Sequence, residues 1–281
     1  MFGGRHANMR GRDMAAKALD DMLFAPVQRL AGRLDSGLLL LCDHAANHLP
    51  PAYGTLGLTQ ADLASHIAYD IGAAEITRRL AARLEAPALL TCFSRLLIDA
   101  NRGADDPTLV MRLSDGRIIP GNAHIDRGEI DARRRLYWQP YRDAIGEMIA
   151  AMSAHGPLPA VISIHSFTPQ WRGALRPWQV GMLWDSDPRL AQPLLAALTA
   201  QGLVVGDNEP YDGALQGDTL HDQVTRRGLA GVLIETRQDL VDSVEKAEAW
   251  ADRLADVLDP ILACPELHRI ENLASRADRQ K

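Results

Sequence analysis

Four short runs of this chain are largely apolar on consecutive residues: LLLLC (38–42), ALLTCFSRLLID (88–99), AVISIH (160–165) and GVLIE (231–235). Side chains alternate faces along a strand, so a strand apolar at every position must be covered on both sides. The second run is long enough to be a hairpin or one bent strand. Between the runs lie segments with helical spacing of apolar residues: 59–84, 126–154, 188–201, 218–227 and 241–263. Strands alternating with helices predict an α/β fold with a largely parallel sheet between helices.

Composition narrows the class. Of 281 residues, 47% are hydrophobic and 23% charged, the balance of an ordinary globular protein. A net charge of −6 argues against a nucleic-acid surface or a polybasic membrane patch. Three scattered cysteines make neither a disulfide framework nor a cysteine-based zinc site. No run approaches a membrane span, and the N-terminus lacks the apolar core of a secretory signal. The expectation is a cytoplasmic protein of one domain over residues 1–281, with mobile tails at 1–12 and 271–281 and a core over about 35–262. A short amphipathic stretch at 15–27 stops near Pro26, and the loop-rich segment 103–125 reads as an active-site cover.

The residues at the end of each apolar run carry the chemistry. The first run leads into Asp43 and His44, the second into Asp99, Asn101 and Arg102, the third into His165 and Ser166, and the fourth into Glu235 and Arg237. Ligands of open α/β sheets bind outside the carboxyl ends of the strands, so these groups are expected to converge. Each has a plainer reading: a hydrogen-bonded structural histidine, a turn cap at Asp99, an ion pair between Glu235 and Arg237. Together they point to a site.

The segment 59–84 adds a further group. Thr59 with Asp62 reads as a capping box, and Leu63, Ile67, Ile71 and Ala74 form a buried stripe with His66 and Asp70 on its edge. An inward Asp70 needs a cation or strong donors. Either it binds a metal, or Gly72 breaks the helix and Asp70 caps the second half. Two histidines and a carboxylate make the open zinc site of hydrolases, with a position left for water. Glu235 is the candidate general base, and Arg102 beside Asn101 the clamp for a substrate carboxylate. No H-E-x-x-H or G-x-S-x-G motif is present, and Cys42 and Cys92 read as inert core thiols.

The motifs CDHAANHLP (42–50), HIAYDIGA (66–73), FSRLLIDANR (93–102), ISIHSFTP (162–169) and LIETRQDL (233–240) together resemble the N-formylglutamate amidohydrolase family. More distantly, DANR, SIHSF and ETRQDL resemble segments of zinc carboxypeptidases. The resemblance implies a zinc-peptidase-like fold, a mixed sheet of about eight strands between helices. It also implies one Zn2+ per chain, or another divalent metal, and hydrolysis of N-formyl-L-glutamate to formate and L-glutamate, a late step of histidine degradation. His44 and His165 match the histidine ligands, Glu235 the base, and Asn101 and Arg102 the clamp. The chain departs from the carboxypeptidase pattern at Asn47, which stands where a glutamate ligand would follow His44. Asp70 is therefore the preferred third ligand, with Asn47 and Asp43 as rivals. Arg95, Asn47, Tyr211 and Arg237 are further substrate-binding candidates, Arg95 for a second carboxylate. The expected partner is a small acidic N-acyl amino acid, and the expected state a monomer or small homo-oligomer. The alternatives are a related enzyme on another N-acyl amino acid or peptide, and a non-catalytic carboxylate binder.

Overall fold

The structure is a computed structural model that describes residues 24–279. His6, the N-terminal tail and most of the amphipathic stretch at 15–27 lie outside the described residues. The main sheet has seven strands: β1 (Val27–Leu30), β2 (Leu38–Cys42), β3 (Ala88–Thr91), β6 (Ala160–Phe167), β9 (Val180–Leu183), β10 (Val205–Asp207) and β11 (Gly231–Arg237). Two small hairpins supply the rest, β4 (Leu113–Ser114) with β5 (Arg117–Ile118) and β7 (Gln170–Trp171) with β8 (Ala174–Leu175). Strand order is β1-β3-β2-β6-β11-β9-β10. The neighbours β3, β2, β6 and β11 run parallel, while β1 lies antiparallel to β3, and β9 antiparallel to β11. The sheet is thus mixed and largely parallel, as predicted. The apolar runs did not reveal β1, β9 and β10, which are short and lie toward the edges.

Strands β2, β3 and β6 are buried from end to end and β11 at all but its two terminal residues, as strands covered on both faces should be. Leu38, Leu40, Ile162, Ile164, Val232 and Ile234 pack on one side. There they meet three helices, α2 (Ala73–Arg83), α5 (Pro188–Ala200) and α7 (Val244–Leu262). Leu39, Leu41, Val161 and Leu233 pack on the other face. Their cover is α4 (Gln139–His155), which continues α3 (Arg127–Arg133) through a widened π turn at Arg134–Trp138. Asp126 caps α3 by accepting from Glu129 N at 2.8 Å, so the predicted helix 126–154 is present with one irregular turn.

Two predicted elements are broken. The capping box of Thr59 and Asp62 forms, but the helix it starts, α1 (Gln60–Leu63), is a single turn. The apolar stripe read across 59–84 serves two separate clusters: Leu63, Ile67 and Ala68 join Leu56, Leu96 and Ile119, whereas Ala74, Ile76 and Leu80 join the main core. The break falls at Gly72, with φ +79°, where an added Cβ would sit 2.3 Å from Val241 O. The run 88–99 is neither hairpin nor long strand. It leaves the sheet after Thr91 because Ser94 N donates to His48 O, and Leu97 N turns back to Ser94 O.

At the far end, the stretch read as frayed is held at Ser275 and Ala277, both buried. Among the described residues no helix is long and apolar enough to cross a membrane.

Candidate active site

The chain turns from β2 toward β3 on one side and later returns to β6 on the other, so the strand order reverses between β2 and β6. A crevice opens there, at the carboxyl ends of the strands. Strand parity selects what faces it. Asp43 follows Leu39 and Leu41 on one face of β2; Ser163 and His165 follow Val161 on β6; Glu235 follows Leu233 on β11. His165 and Glu235 are register partners on adjacent parallel strands, which places their backbones about 4.8 Å apart.

His44, Asp70 and His165, all buried, present ligand atoms within 4.8 Å of one another. Asp70 Oδ2 lies 2.8 Å from His165 Nδ1 and 3.4 Å from His44 Nδ1. The opposite ring nitrogens are held by two further buried carboxylates: His44 Nε2 lies 2.7 Å from Asp99 Oδ1, and His165 Nε2 lies 2.9 Å from Asp43 Oδ2. A carboxylate on the far nitrogen fixes tautomer and ring orientation in metal-binding histidines. Asp70 does not cap α2. That position belongs to Gly72, and Asp70 is directed into the site by its backbone N–H donating to His44 O.

The charge pattern fits a divalent cation. Asp70 and Asp99 share the Arg95 guanidinium and Asp43 lies behind His165, so three carboxylates stand close around the two imidazoles. Burial opposes charge on His165, yet hydrogen bonds to Asp43 and Asp70 outweigh it and raise its pKa to about 10. Burial likewise disfavours ionised Asp43, but His165 brings it down to about 2. Asp70 is carried well below the carboxylate range, the nearby histidines overcoming its burial. Glu235 is the exception: burial, against the opposing pull of His165, pushes it up to about 7. Among the described residues its buried Oε2 has no hydrogen-bond partner.

His44, Asp70, His165 and Glu235 line a cavity of about 450 Å3 together with Arg95, Asn101, Arg102, Ser166, Tyr211 and Asp218, and with Leu183, Leu220 and Leu233 as its apolar wall. Asn101 Oδ1 accepts from Thr219 N at 3.0 Å. Arg102 donates through Nη1 to Asn101 O and through Nε to Thr108 Oγ1; among the described residues its Nη2 makes no hydrogen bond. Tyr211 lies at the cavity edge with the Arg176 guanidinium 5.0 Å from its ring centre.

Other predicted residues fall elsewhere or have other partners. Asn47 donates to Leu63 O at 2.8 Å and is not among the cavity residues, so it serves the turn after α1 rather than a ligand. Asp43 lies behind His165, its oxygens taking Ser163 Oγ, His165 Nε2 and Thr219 Oγ1, and it is not part of the His44, Asp70 and His165 cluster. Arg237 pairs with Asp239 at 2.8 Å and also lies outside the cavity. Arg95 lines the cavity, but its guanidinium is bound to Asp70 and Asp99. His66 faces Asp115 at 3.1 Å, away from the cluster. Segment 103–125 contributes nothing to the cavity, because Asn122 anchors it to Leu96 O, Met111 O and Arg133. The wall it was expected to supply comes from 211–215, Asp218 and Leu220.

Three contributors were not among the residues singled out in the sequence. Ser163 and Thr219 both donate to Asp43, and Asp218 stands in the wall with its carboxyl pushed by burial up to about 7. Period-two parity on β6 would have found Ser163, which shares the face of His165. Thr219 has no local signal.

Residues 36–241 match the N-formylglutamate amidohydrolase family. Among solved structures, the chain is similar to a gene product of Agrobacterium tumefaciens, with 35% identity and a TM-score of 0.80 over 85% of this chain and 96% of that one. It is also similar in fold to the N-formylglutamate amidohydrolase of Ralstonia eutropha, with 19% identity and a TM-score of 0.62 over 88% of this chain and 99% of that one. Among curated proteins, no sequence matches. With nearly three quarters of its length matched and the motif histidines gathered at the sheet's switch point, the chain belongs to the N-formylglutamate amidohydrolase family of hydrolases.

Proposed function

We propose that this protein is a metal-dependent amidohydrolase that cleaves a small N-acyl amino acid, with N-formyl-L-glutamate as the substrate. The observation that carries the reading is the juxtaposition of a three-residue ligand set with an unpartnered buried carboxylate oxygen in one cavity. His44, Asp70 and His165 would hold Zn2+ or another divalent ion, which when bound polarises the scissile carbonyl and acidifies water.

The remaining chemistry belongs to the chain. Glu235 accepts a proton from the attacking water and returns it to the departing amide nitrogen, a role served by a base whose pKa lies near neutrality. Arg102 and Asn101 orient the substrate through a carboxylate. Asp43 and Asp99 keep the imidazoles in place. Asn47 donates to Leu63 O while Asp70 stands with the two histidines, which supports the catalytic reading over a non-catalytic carboxylate binder. The family's substrate would suit a protein of the cytoplasm.

The test is release of L-glutamate from N-formyl-, N-acetyl- and N-succinyl-L-glutamate by protein of known metal content. Stoichiometric metal, hydrolysis fastest with the formyl compound, and loss of activity on chelation with recovery on metal addition are expected. No glutamate from the formyl compound would reject the substrate. Full turnover after complete metal removal would reject the metal.

A further inference from the structure

We propose that Arg95 is a positioning residue for the metal-binding side chains and not a clamp for a second substrate carboxylate; the inference rests on the metal-dependent reading of the site. The residue is a candidate for a second carboxylate, as a dicarboxylic substrate needs, because it precedes the polar end of the second apolar run. Its guanidinium is otherwise engaged. Nη1 donates to Asp70 Oδ1 at 3.2 Å and Nη2 to Asp99 Oδ2 at 3.0 Å.

Those two carboxylates meet again at His44, since Asp70 Oδ2 faces Nδ1 and Asp99 Oδ1 faces Nε2. The four side chains therefore close a ring: Arg95, Asp70, His44, Asp99 and back to Arg95. Each carboxylate spends one oxygen on the guanidinium and the other on the imidazole. Three members are almost wholly buried, and Arg95 has 19% of its side chain exposed.

A ring of this kind determines orientation as well as charge. Asp70 can present Oδ2 to an ion only while something occupies Oδ1, and Arg95 does so. The His44 ring can present Nδ1 only while Nε2 is tethered, and Asp99 is tethered in turn by Arg95. One planar fork thus sets two ligands, Asp70 directly and His44 through Asp99. Lysine keeps the charge but is a single point donor that cannot hold two separate carboxylates in the same geometry. His165 has an independent tether in Asp43, Ser163 and Thr219, so losing Arg95 leaves one ligand oriented and loosens two.

The experiment measures Zn2+ affinity by competition with a chromogenic chelator, alongside KM for N-formyl-L-glutamate and for a monocarboxylic N-formyl amino acid. Wild type, Arg95→Lys, Arg95→Met and Asp99→Asn are compared, the last opening the ring at another corner with little change of shape. Metal affinity is expected to fall about 10–100-fold in Arg95→Met and Asp99→Asn, and by less in Arg95→Lys. The ratio of the two KM values in metal-saturated protein should stay at its wild-type value. Unchanged metal affinity in Arg95→Met and Asp99→Asn would overturn the proposal. So would a selective KM rise for the dicarboxylic substrate in Arg95→Met, which would return Arg95 to the clamp. If Arg95→Met does not fold, Asp99→Asn and Arg95→Lys carry the same comparison. A wild-type protein that binds no Zn2+ would refute the metal-dependent reading itself, a result distinct from metal binding that the variants leave intact.

Discussion

A buried carboxylate oxygen with no hydrogen-bond partner is expensive, and among the described residues Glu235 Oε2 is one. Its neighbours bear opposing charges, and the balance leaves it able to exchange a proton near neutral pH rather than being committed to a salt bridge. The histidines are treated differently, each pinned by a carboxylate behind it. Glu235→Gln preserves shape and removes proton acceptance. Its kcat is expected to fall about 10²–10⁴-fold, the usual contribution of a positioned base, with metal content by elemental analysis near that of wild type. Loss of the metal together with activity would place Glu235 among the ligands.

Among the elements, the turn between α1 and α2 matters more than any helix. It carries Ala68 O to Ser94 and Arg95, and brings Asp70 N to His44 O, before Gly72 starts α2 in a left-handed conformation. A continuous helix through 59–84 would forfeit these bonds and could not send Asp70 between two imidazoles. Gly72→Ala meets both a positive φ and the Val241 carbonyl. The positive φ alone is expected to cost about 1–2 kcal/mol, and the close approach adds to it. The expected outcome is a lowered Tm together with weaker metal binding, since Asp70 is two residues away. A lowered Tm with intact metal affinity would show that the turn supports the fold without setting the ligand.

Across the whole molecule, the cavity wall depends on residues outside the family match. Arg276 donates to Trp184 O and Asp185 O and binds both oxygens of Asp212, which lines the cavity beside Tyr211 and Gly213. Ser186 Oγ donates to Ala274 O, so the chain's end is fastened at several points behind that wall. The Arg276–Asp212 pair is partly exposed and contributes modestly by charge alone, but its two carbonyl bonds add to it. Arg276→Ala is expected to raise KM about fivefold, as about 1 kcal/mol of wall positioning would, with a smaller change in kcat. Equal kinetics at saturating and limiting substrate would show that the tail is not coupled to the cavity.

The chain's local chemistry was enough to reveal the parallel core, the two histidines, Glu235 and the Asn101–Arg102 pair, because unbroken apolar runs and their polar ends are written within a few consecutive residues. It also indicated Asp70 without choosing between ligand and cap. Tertiary structure alone set Asp70 beside the two histidines with Gly72 at the start of α2, gave Asp43 and Asp99 their histidines, removed Asn47 and Arg237 from the cavity, and replaced the expected cover at 103–125 with 211–220. The physical reason is one of range. Strand parity and capping act over neighbouring residues, whereas which oxygen meets which nitrogen depends on turns that bring together positions 26 to 176 residues apart in sequence.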